Sequence, residues 1–379
     1  MRPSNHRIKK LAFLSLSLLI LITPLFSSKI QCEWSGVEKI VAVGDLHGDY
    51  NNFVKILKKA SIVDENLSWT GGKTHLVQTG DIMDRGPDAK KIFDLIMRLE
   101  REAEEAGGKV HMLIGNHEEL NITGIALDYR GYVTPRQLTS FLPLQYREKL
   151  EKKRKKDESV DDFWWRIINK EREARGTVGM RYTNEFNDRY GKWIIEHNAA
   201  IKINDTVFVH GGISKKYSSM GLEKINEKLR KELEDFRLSL RRFGKYTGRP
   251  SIIYDTEGPL WYRKLALESG EQVEQEIDQI LKNIGAKHIV IAHTPRMGSP
   301  IYSKELMSKF GGKVWIIDTS ISDYVGGGFP SALVINKGNF SILLDLEEET
   351  EYLKDKEGNN NERVGTKSGY SSEKIVQLP

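Results

Sequence analysis

Three short stretches constrain this chain more than anything else in it: Val41-Ala42-Val43-Gly44-Asp45-Leu46-His47-Gly48, then Gln78-Thr79-Gly80-Asp81-Ile82-Met83-Asp84-Arg85-Gly86, then Leu113-Ile114-Gly115-Asn116-His117-Glu118. In each, an apolar run reaches a glycine and is followed at once by an oxygen-bearing side chain. A buried parallel strand delivers a ligand to its carboxyl edge in this way. One Gly-Asp pair is an ordinary turn. Three in order, with histidines attached, describe neighbouring strand ends around a polar pocket.

The intervening segments agree with that reading. Lys39 to Val43 reads as a strand, and Asn51 to Ala60 as a helix with Phe53, Val54, Ile56 and Leu57 at helical spacing. Thr74 to Thr79 is the second strand. Pro87 opens a helix through Leu99, proline being tolerated in a first turn, and Lys109 to Ile114 is the third strand. The βαβαβ order predicts a parallel sheet with right-handed crossovers and ligands outside the strands' carboxyl ends. Strands resume at Thr206 to Val209, ending in His210-Gly211-Gly212, and at His288 to Ala292, ending in His293-Thr294-Pro295. Taken singly, either histidine reads as structural. Beside three oxygen-bearing strand ends they complete a set of nitrogen and oxygen ligands, and the adjacent glycines let backbone approach a metal or phosphate.

Residues 121 to 198 differ in texture and read as a helical insertion. The run Arg147 to Lys156 is a solvated helix face, and Phe163, Trp164 and Trp165 form the insertion's underside, placed where they could overhang the pocket. His75, His111 and His288 fall within or at the start of strands and read as core or supporting residues, while His197 sits among helix-like neighbours. At 379 residues the chain can bury a sizeable core, and its 58 Lys and Arg against 53 Asp and Glu leave a charge of +5, four of which come from Arg2, Arg7, Lys9 and Lys10. The rest is nearly neutral, so no basic stripe for nucleic acid is indicated.

Those four cations precede an uncharged apolar run, Leu11 to Phe26, and the small residues Ser27 and Ser28. This predicts a signal peptide over 1–28 and export to the periplasm or the exterior, the alternative being an uncleaved N-terminal membrane anchor. Cys32 is the sole cysteine, which excludes an internal disulfide and a cysteine-ligated zinc site, and thiol catalysis by any other residue. After a main body expected over 37–346, positions 347–379 are polar and lack periodic apolar residues, as a disordered tail does.

The ordered set G-D-x-H-G, G-D-x-x-D-R-G, G-N-H-E, H-G-G and a late histidine resembles the calcineurin-like metallophosphoesterases, and Arg85 and Glu118 point to their phosphoprotein phosphatase branch. Leu113-Ile114 stands where eukaryotic protein phosphatases have Leu-Arg, and Ile317-Asp318-Thr319-Ser320-Ile321-Ser322-Asp323-Tyr324 replaces their Ser-Ala-Pro-Asn-Tyr. With Tyr129 to Pro135 and Leu260 to Arg263, these departures resemble the Shewanella-like phosphatases of bacterial origin. The resemblance implies an α/β fold, a four-layer sandwich of two central mixed β-sheets flanked by helices, with a dimetal site at the carboxyl ends of the strands.

It also implies roles. Asp45, His47 and Asp81 would hold one divalent ion, and Asp81, Asn116, His210 and His293 a second, with Asp81 bridging. Two ions sharing a carboxylate sit about 3.5–4 Å apart, with a hydroxide between them as the expected nucleophile. A donor set of imidazole, carboxylate and carboxamide suits manganese, iron or zinc. His117 would protonate the leaving oxygen, with Asp84 fixing its tautomer. Arg85 would clamp the phosphoryl oxygens and Arg263 would be a second clamp. The expected activity is phosphomonoester hydrolysis on a phosphorylated protein or peptide. Two alternatives stand beside it, cleavage of dinucleoside polyphosphates and non-catalytic phosphoprotein binding; intact His117 and Asp84 argue against the latter. No Cys-x5-Arg loop exists, so a thiolate tyrosine-phosphatase mechanism is excluded. Phosphotyrosine is nonetheless the expected preference, because phenolate leaves readily and the Shewanella-like group includes phosphotyrosine-preferring enzymes.

Overall fold

The computed structural model describes residues 30–173, 176–244, 248–295, 308–326, 330–345 and 376–377. The expected leader, and the expected tail apart from Val376–Gln377, lie outside the described residues. Among the described residues no helix is long and apolar enough to cross a membrane.

From the amino end the elements are β1 (Glu33–Trp34), β2 (Lys39–Val43), α1 (Tyr50–Lys59), β3 (His75–Gln78), α2 (Ala89–Glu105), β4 (Lys109–Met112) and α3 (Asn116–Ile122). A helical stretch follows: α4 (Pro135–Phe141), α5 (Leu144–Glu151), α6 (Val160–Glu173), α7 (Thr177–Phe186) and α8 (Lys192–Ile195). Then come β5 (Ala200–Ile203), β6 (Thr206–Val209), α9 (Lys215–Ser218), α10 (Leu222–Phe243), α11 (Lys264–Leu267), α12 (Glu271–Ile284), β7 (His288–Ile291), β8 (Ser308–Lys309), β9 (Val314–Ile316), β10 (Ser331–Asn336), β11 (Asn339–Leu344) and β12 (Val376–Gln377).

The strands form two mixed sheets, in the orders β12-β11-β10-β2-β3-β4 and β1-β5-β6-β7-β9-β8. Strands β2, β3 and β4 run parallel, with Ile40 opposite His75 and His75 opposite Lys109. Side-chain alternation then sorts the apolar residues into layers. Ile40, Ala42, Val77, Ile201, Phe208, Val290 and Leu333 pack together between the sheets, whereas Val41, Val43, Leu76, Val207, Val209 and Ile291 belong to the core beneath the helices. The result is the expected sandwich of two mixed sheets with helices outside. Just past the ends of β2 and β9 the two sheets meet at Gly44, where a Cβ would lie 2.3 Å from the Ile317 carbonyl oxygen.

One helix start differs from the sequence reading. Helix α2 begins at Ala89 with Asp88 as its cap, so Pro87 lies outside its first turn. The Asp88 N–H donates to the Gly48 carbonyl at 3.0 Å, which holds residues 85–88 in the loop that bears Arg85. Burial of Ala103 then carries the helix six residues past Leu99. In the helical stretch, Phe163 and Trp164 are core residues of α6, which packs on α4 and α7, and the Trp164 indole N–H donates to Glu151. Among the described residues the aromatic side chains beside the strand-end pocket include Tyr132 with Tyr129 stacked on it, and Trp261 edge-on to His293. His111 Nε2 and His75 Nδ1 meet at 3.0 Å under the edge of Trp34, and His288 and His197 bond to backbone carbonyls.

Candidate metal centre

Both sheets direct strand ends to one place. Asp45 follows β2, Asp81 follows β3, Asn116 opens α3 just past β4, His210 follows β6 and His293 follows β7. The three motif loops are sewn together by backbone bonds. Leu46 N–H and His47 N–H both donate to the Asp81 carbonyl, at 3.0 and 2.9 Å. The buried Glu118 carboxylate accepts from Gly115, Asp81 and Ile82 N–H at 2.8–2.9 Å. Burial pushes its carboxyl up to about 7, opposed by those same N–H groups. Gly115 is required where it stands, because a Cβ there would sit 2.3 Å from Asp81 Oδ1.

The loops hold their side chains at a conformational cost. His47, Asp81, Asp84, Arg85 and His293 all have positive φ, at 42°, 56°, 68°, 69° and 62°. For non-glycine residues each such position costs on the order of 1–3 kcal/mol, and such strain collects at functional sites.

Asp81 is the hub. Its Oδ2 lies 3.9 Å from His47 Nε2 and 3.8 Å from His117 Nε2, and its Oδ1 lies 3.3 Å from His210 Nε2. Possible ligand atoms of His47, Asp81 and His117 lie within 4.8 Å of one another, as do those of Asp81, His210 and His293. His210 Nε2 is also 2.9 Å from Asn116 Oδ1 and 3.2 Å from His293 Nδ1. Asp45 Oδ1 lies 3.6 Å from His210 Nδ1 and accepts from His293 N–H at 3.4 Å.

These residues fit a cation. A carbonyl can only accept, so the contacts of His47 Nδ1 with Met83 O at 3.1 Å and of His210 Nδ1 with Thr79 O at 3.0 Å place protons on Nδ1. The Nε2 lone pairs then face Asp81, as metal-ligating histidines do when their other ring nitrogen donates to a carbonyl. His293 Nε2 is buried without a hydrogen-bond partner. Burial, then the neighbouring His117, lowers His47 to about 3, and burial with His210 lowers His293 well below the usual range. Both rings are therefore neutral, as ligands must be. Burial opposes ionisation of Asp81, but its histidine neighbours, His210 first and then His117, outweigh it and hold the carboxyl well below its ordinary value.

His117 differs from the other histidines. Its Nδ1 bonds Asp84 Oδ2 at 2.7 Å, and although burial alone would depress it, the Asp81 and Asp84 carboxylates hold its pKa above the usual value. Asp84 is wholly buried and receives Gln137 Nε2 at 2.6 Å and Asn121 Nδ2 at 2.9 Å, while its own N–H donates to Gln137 Oε1 at 2.7 Å. The Tyr182 hydroxyl joins this network, donating to Asn121 Oδ1 at 2.7 Å and accepting from Gln137 at 3.0 Å. Residues from α3, α4 and α7 thus fix the partner of His117. Sequence reasoning missed all three, because each looks like an ordinary helical polar residue.

Arg85 lies with its guanidinium carbon 4.7 Å from the Tyr132 ring centroid, and its buried Nε has no hydrogen-bond partner. Arg263 is tied by Nη1 to the His293 carbonyl at 2.7 Å and to Thr294 Oγ1 at 3.2 Å, which places it behind the His293 loop. Asp318 is a further omission. It is buried and hydrogen-bonded to Asp45, and burial first, then Asp318 and Asp81, pushes Asp45 well up; Asp318 itself is raised to about 6.

Residues 38–297 match the family model described as calcineurin-like phosphoesterase. The chain belongs to that family. As a calcineurin-like phosphoesterase it is a phosphoester hydrolase, and two of its relatives are phosphatases by name. It is 30% identical over 323 residues to Shewanella-like protein phosphatase 2 of Arabidopsis thaliana, covering 81% of this chain and 78% of the relative. It is 27% identical over 302 residues to Shewanella-like protein phosphatase 1 of Plasmodium berghei, covering 79% and 70%. Among solved structures it resembles a cold-active protein-tyrosine phosphatase of a psychrophilic Shewanella species, with a TM-score of 0.60, 28% identity and coverage of 82% and 79%.

Proposed function

We propose that this phosphatase hydrolyses phosphomonoesters on proteins or peptides, with phosphotyrosine preferred to phosphoserine and phosphothreonine. Asp45, His47 and Asp81 would hold one divalent ion and Asp81, Asn116, His210 and His293 another, each manganese, iron or zinc. When bound, such ions supply Lewis-acid polarisation of the phosphoryl group and a nucleophile at neutral pH.

The observation that carries the reading is the 2.7 Å bond between His117 Nδ1 and Asp84 Oδ2, with Nε2 left on the Asp81 side. With Nδ1–H anchored on Asp84, the protonated ring carries its transferable proton on Nε2, gives it to the leaving oxygen, and is left neutral and still correctly oriented. Arg85 offers its planar fork to the phosphoryl oxygens, its Nε having no partner within the protein. Arg263 acts through the backbone of His293. The phosphotyrosine preference is supported by likeness to a Shewanella protein described as a tyrosine phosphatase.

We further propose residues 37–346 as the catalytic body with its 121–198 insertion, and export directed by residues 1–28. The mass of the mature chain recovered from the exported fraction tests the latter, an intact Met1 in membranes favouring the anchor. Activity is tested by initial rates on peptides differing only in the phosphorylated residue, alongside diadenosine tetraphosphate, before and after chelation. A higher specificity constant for phosphotyrosine, lost with the metals, is expected; a higher one for phosphoserine or for the dinucleotide overturns the preference.

A further inference from the structure

A row of rings runs outward from the acid. His117 and Tyr132 lie with ring centroids 4.6 Å apart at 39°, and Tyr132 and Tyr129 stack at 4.9 Å and 15°. The loop is fixed rather than loosely draped, since Arg85 N–H donates to the Tyr132 carbonyl at 2.6 Å and Tyr132 N–H to the Tyr129 carbonyl at 3.3 Å. Tyr132 is half-buried under Arg85 and His117, whereas Tyr129 is 45% exposed. Among the described residues Tyr129 is thus a stacked tyrosine at the end of a row with nearly half its surface open to solvent.

The chemistry determines what that surface meets. The leaving oxygen must come within hydrogen-bond reach of His117 Nε2 while Arg85 holds the phosphoryl oxygens. Whatever is bonded to the leaving oxygen therefore starts beside His117, at the inner end of the row that Tyr132 and Tyr129 continue. A serine-borne phosphate has only a methylene there, too short to reach Tyr129. A phenolic phosphate places a flat ring there, able to stack on tyrosine in the offset geometry aromatic pairs favour.

We propose that Tyr129, seated on Tyr132, is the specificity-determining residue for an aryl leaving group, and that its exposed ring stacks on the phenol ring of the substrate. The proposal rests on the phosphatase reading with His117 as acid. Tyr129 meets His117 and Arg85 only by way of Tyr132, which its own backbone bonds to Arg85 and Tyr129 hold in place, so an aryl-specific loss separates stacking on substrate from a shift of the acid.

The test compares the parent, Tyr129→Ala and Tyr129→Phe on a phosphotyrosine peptide, the matched phosphoserine peptide and p-nitrophenyl phosphate. Tyr129→Ala should lower kcat/KM about two- to twelve-fold on both aryl substrates, the range an aromatic pair supplies. The phosphoserine rate should stay within about two-fold, and Tyr129→Phe should restore the aryl rates. Equal losses on aryl and alkyl phosphates, or no loss on either, overturn the aromatic subsite while the phosphatase reading stands. No metal-dependent turnover by the parent on any of the three overturns both.

Discussion

Gln137→Leu removes the residue that holds Asp84 from two sides at nearly constant volume. Gln137 is wholly buried, and Asp84 loses a charge-assisted bond of 2.6 Å to its carboxylate and the acceptor, at 2.7 Å, for its own N–H. The first is worth about 1.5–3 kcal/mol and the orphaned buried N–H costs about 1–3 kcal/mol. Leucine regains part of this through apolar contact, so a net destabilisation of about 2–4 kcal/mol is expected, read as a lower urea midpoint at unchanged slope. Asn121 still donates to Asp84 Oδ2 at 2.9 Å, so the carboxylate stays in place but is free to swing. An orienting partner of this kind is typically worth about 10–100-fold in activity. The loss should be greater on an alkyl phosphate than on p-nitrophenyl phosphate, because an acidic leaving group needs little protonation. Tyr182→Phe, one step further out, should show the same pattern, weaker. A destabilised Gln137→Leu protein with parental rates on both substrates would refute the claim that the helical insertion tunes the acid.

Three further outcomes follow from the geometry. Asp81 faces both ligand clusters, so Asp81→Asn should lose metal from two sites by elemental analysis, whereas His47→Asn should lose mainly one; two retained ions in Asp81→Asn would remove Asp81 from its bridging place. Burial, then Lys109, depresses His75 to about 4, and burial followed by His75 holds its partner His111 well below the usual range. A histidine depressed in the folded state is protonated first in the unfolded chain. The pair's contribution to stability is therefore complete above about pH 6.5 and is lost as pH falls towards 4. For His75 the loss should be about 2 kcal/mol, allowing for its partial solvent contact, and His75→Phe should flatten that limb of the urea midpoint against pH. Finally, Trp164→Ala should destabilise by about 3–5 kcal/mol with little change in kcat, since the ring is buried in α6 away from the strand-end ligands.

The metal centre was legible because its residues obey a local rule, an apolar strand, a glycine, then a ligand, that needs no knowledge of distant parts of the chain. Asp45, Asp81 and Asn116 were found by that rule, and His210 and His293, which end apolar strands with no glycine before them, were found beside those three. Asp318 follows the apolar run Val314 to Ile317, likewise without a glycine, and passed unnoticed because an aspartate, unlike a histidine, is an ordinary turn residue. Gln137 and Asn121 could not be found this way, for they reach Asp84 across 53 and 37 residues, and helix pairing sets that contact. The positive φ values of Asp84 and Arg85 are equally silent in the sequence, being imposed by loops bonded to one another rather than by residue type. Pro87 misled for a related reason: the bond from Asp88 N–H to Gly48, rather than local helix preference, decides where α2 begins.

The central claim is that His117 is an acid standing among metal ligands without being one, although its Nε2 lies as close to Asp81 as that of His47 does. Elemental analysis of His117→Ala, with rates on alkyl and p-nitrophenyl phosphates measured on the same sample, tests it most directly. The account predicts parental metal content, a loss of about 10²–10⁴ in rate on the alkyl ester and a smaller one on p-nitrophenyl phosphate. Loss of an ion together with the histidine, or equal losses on the two esters, would contradict it.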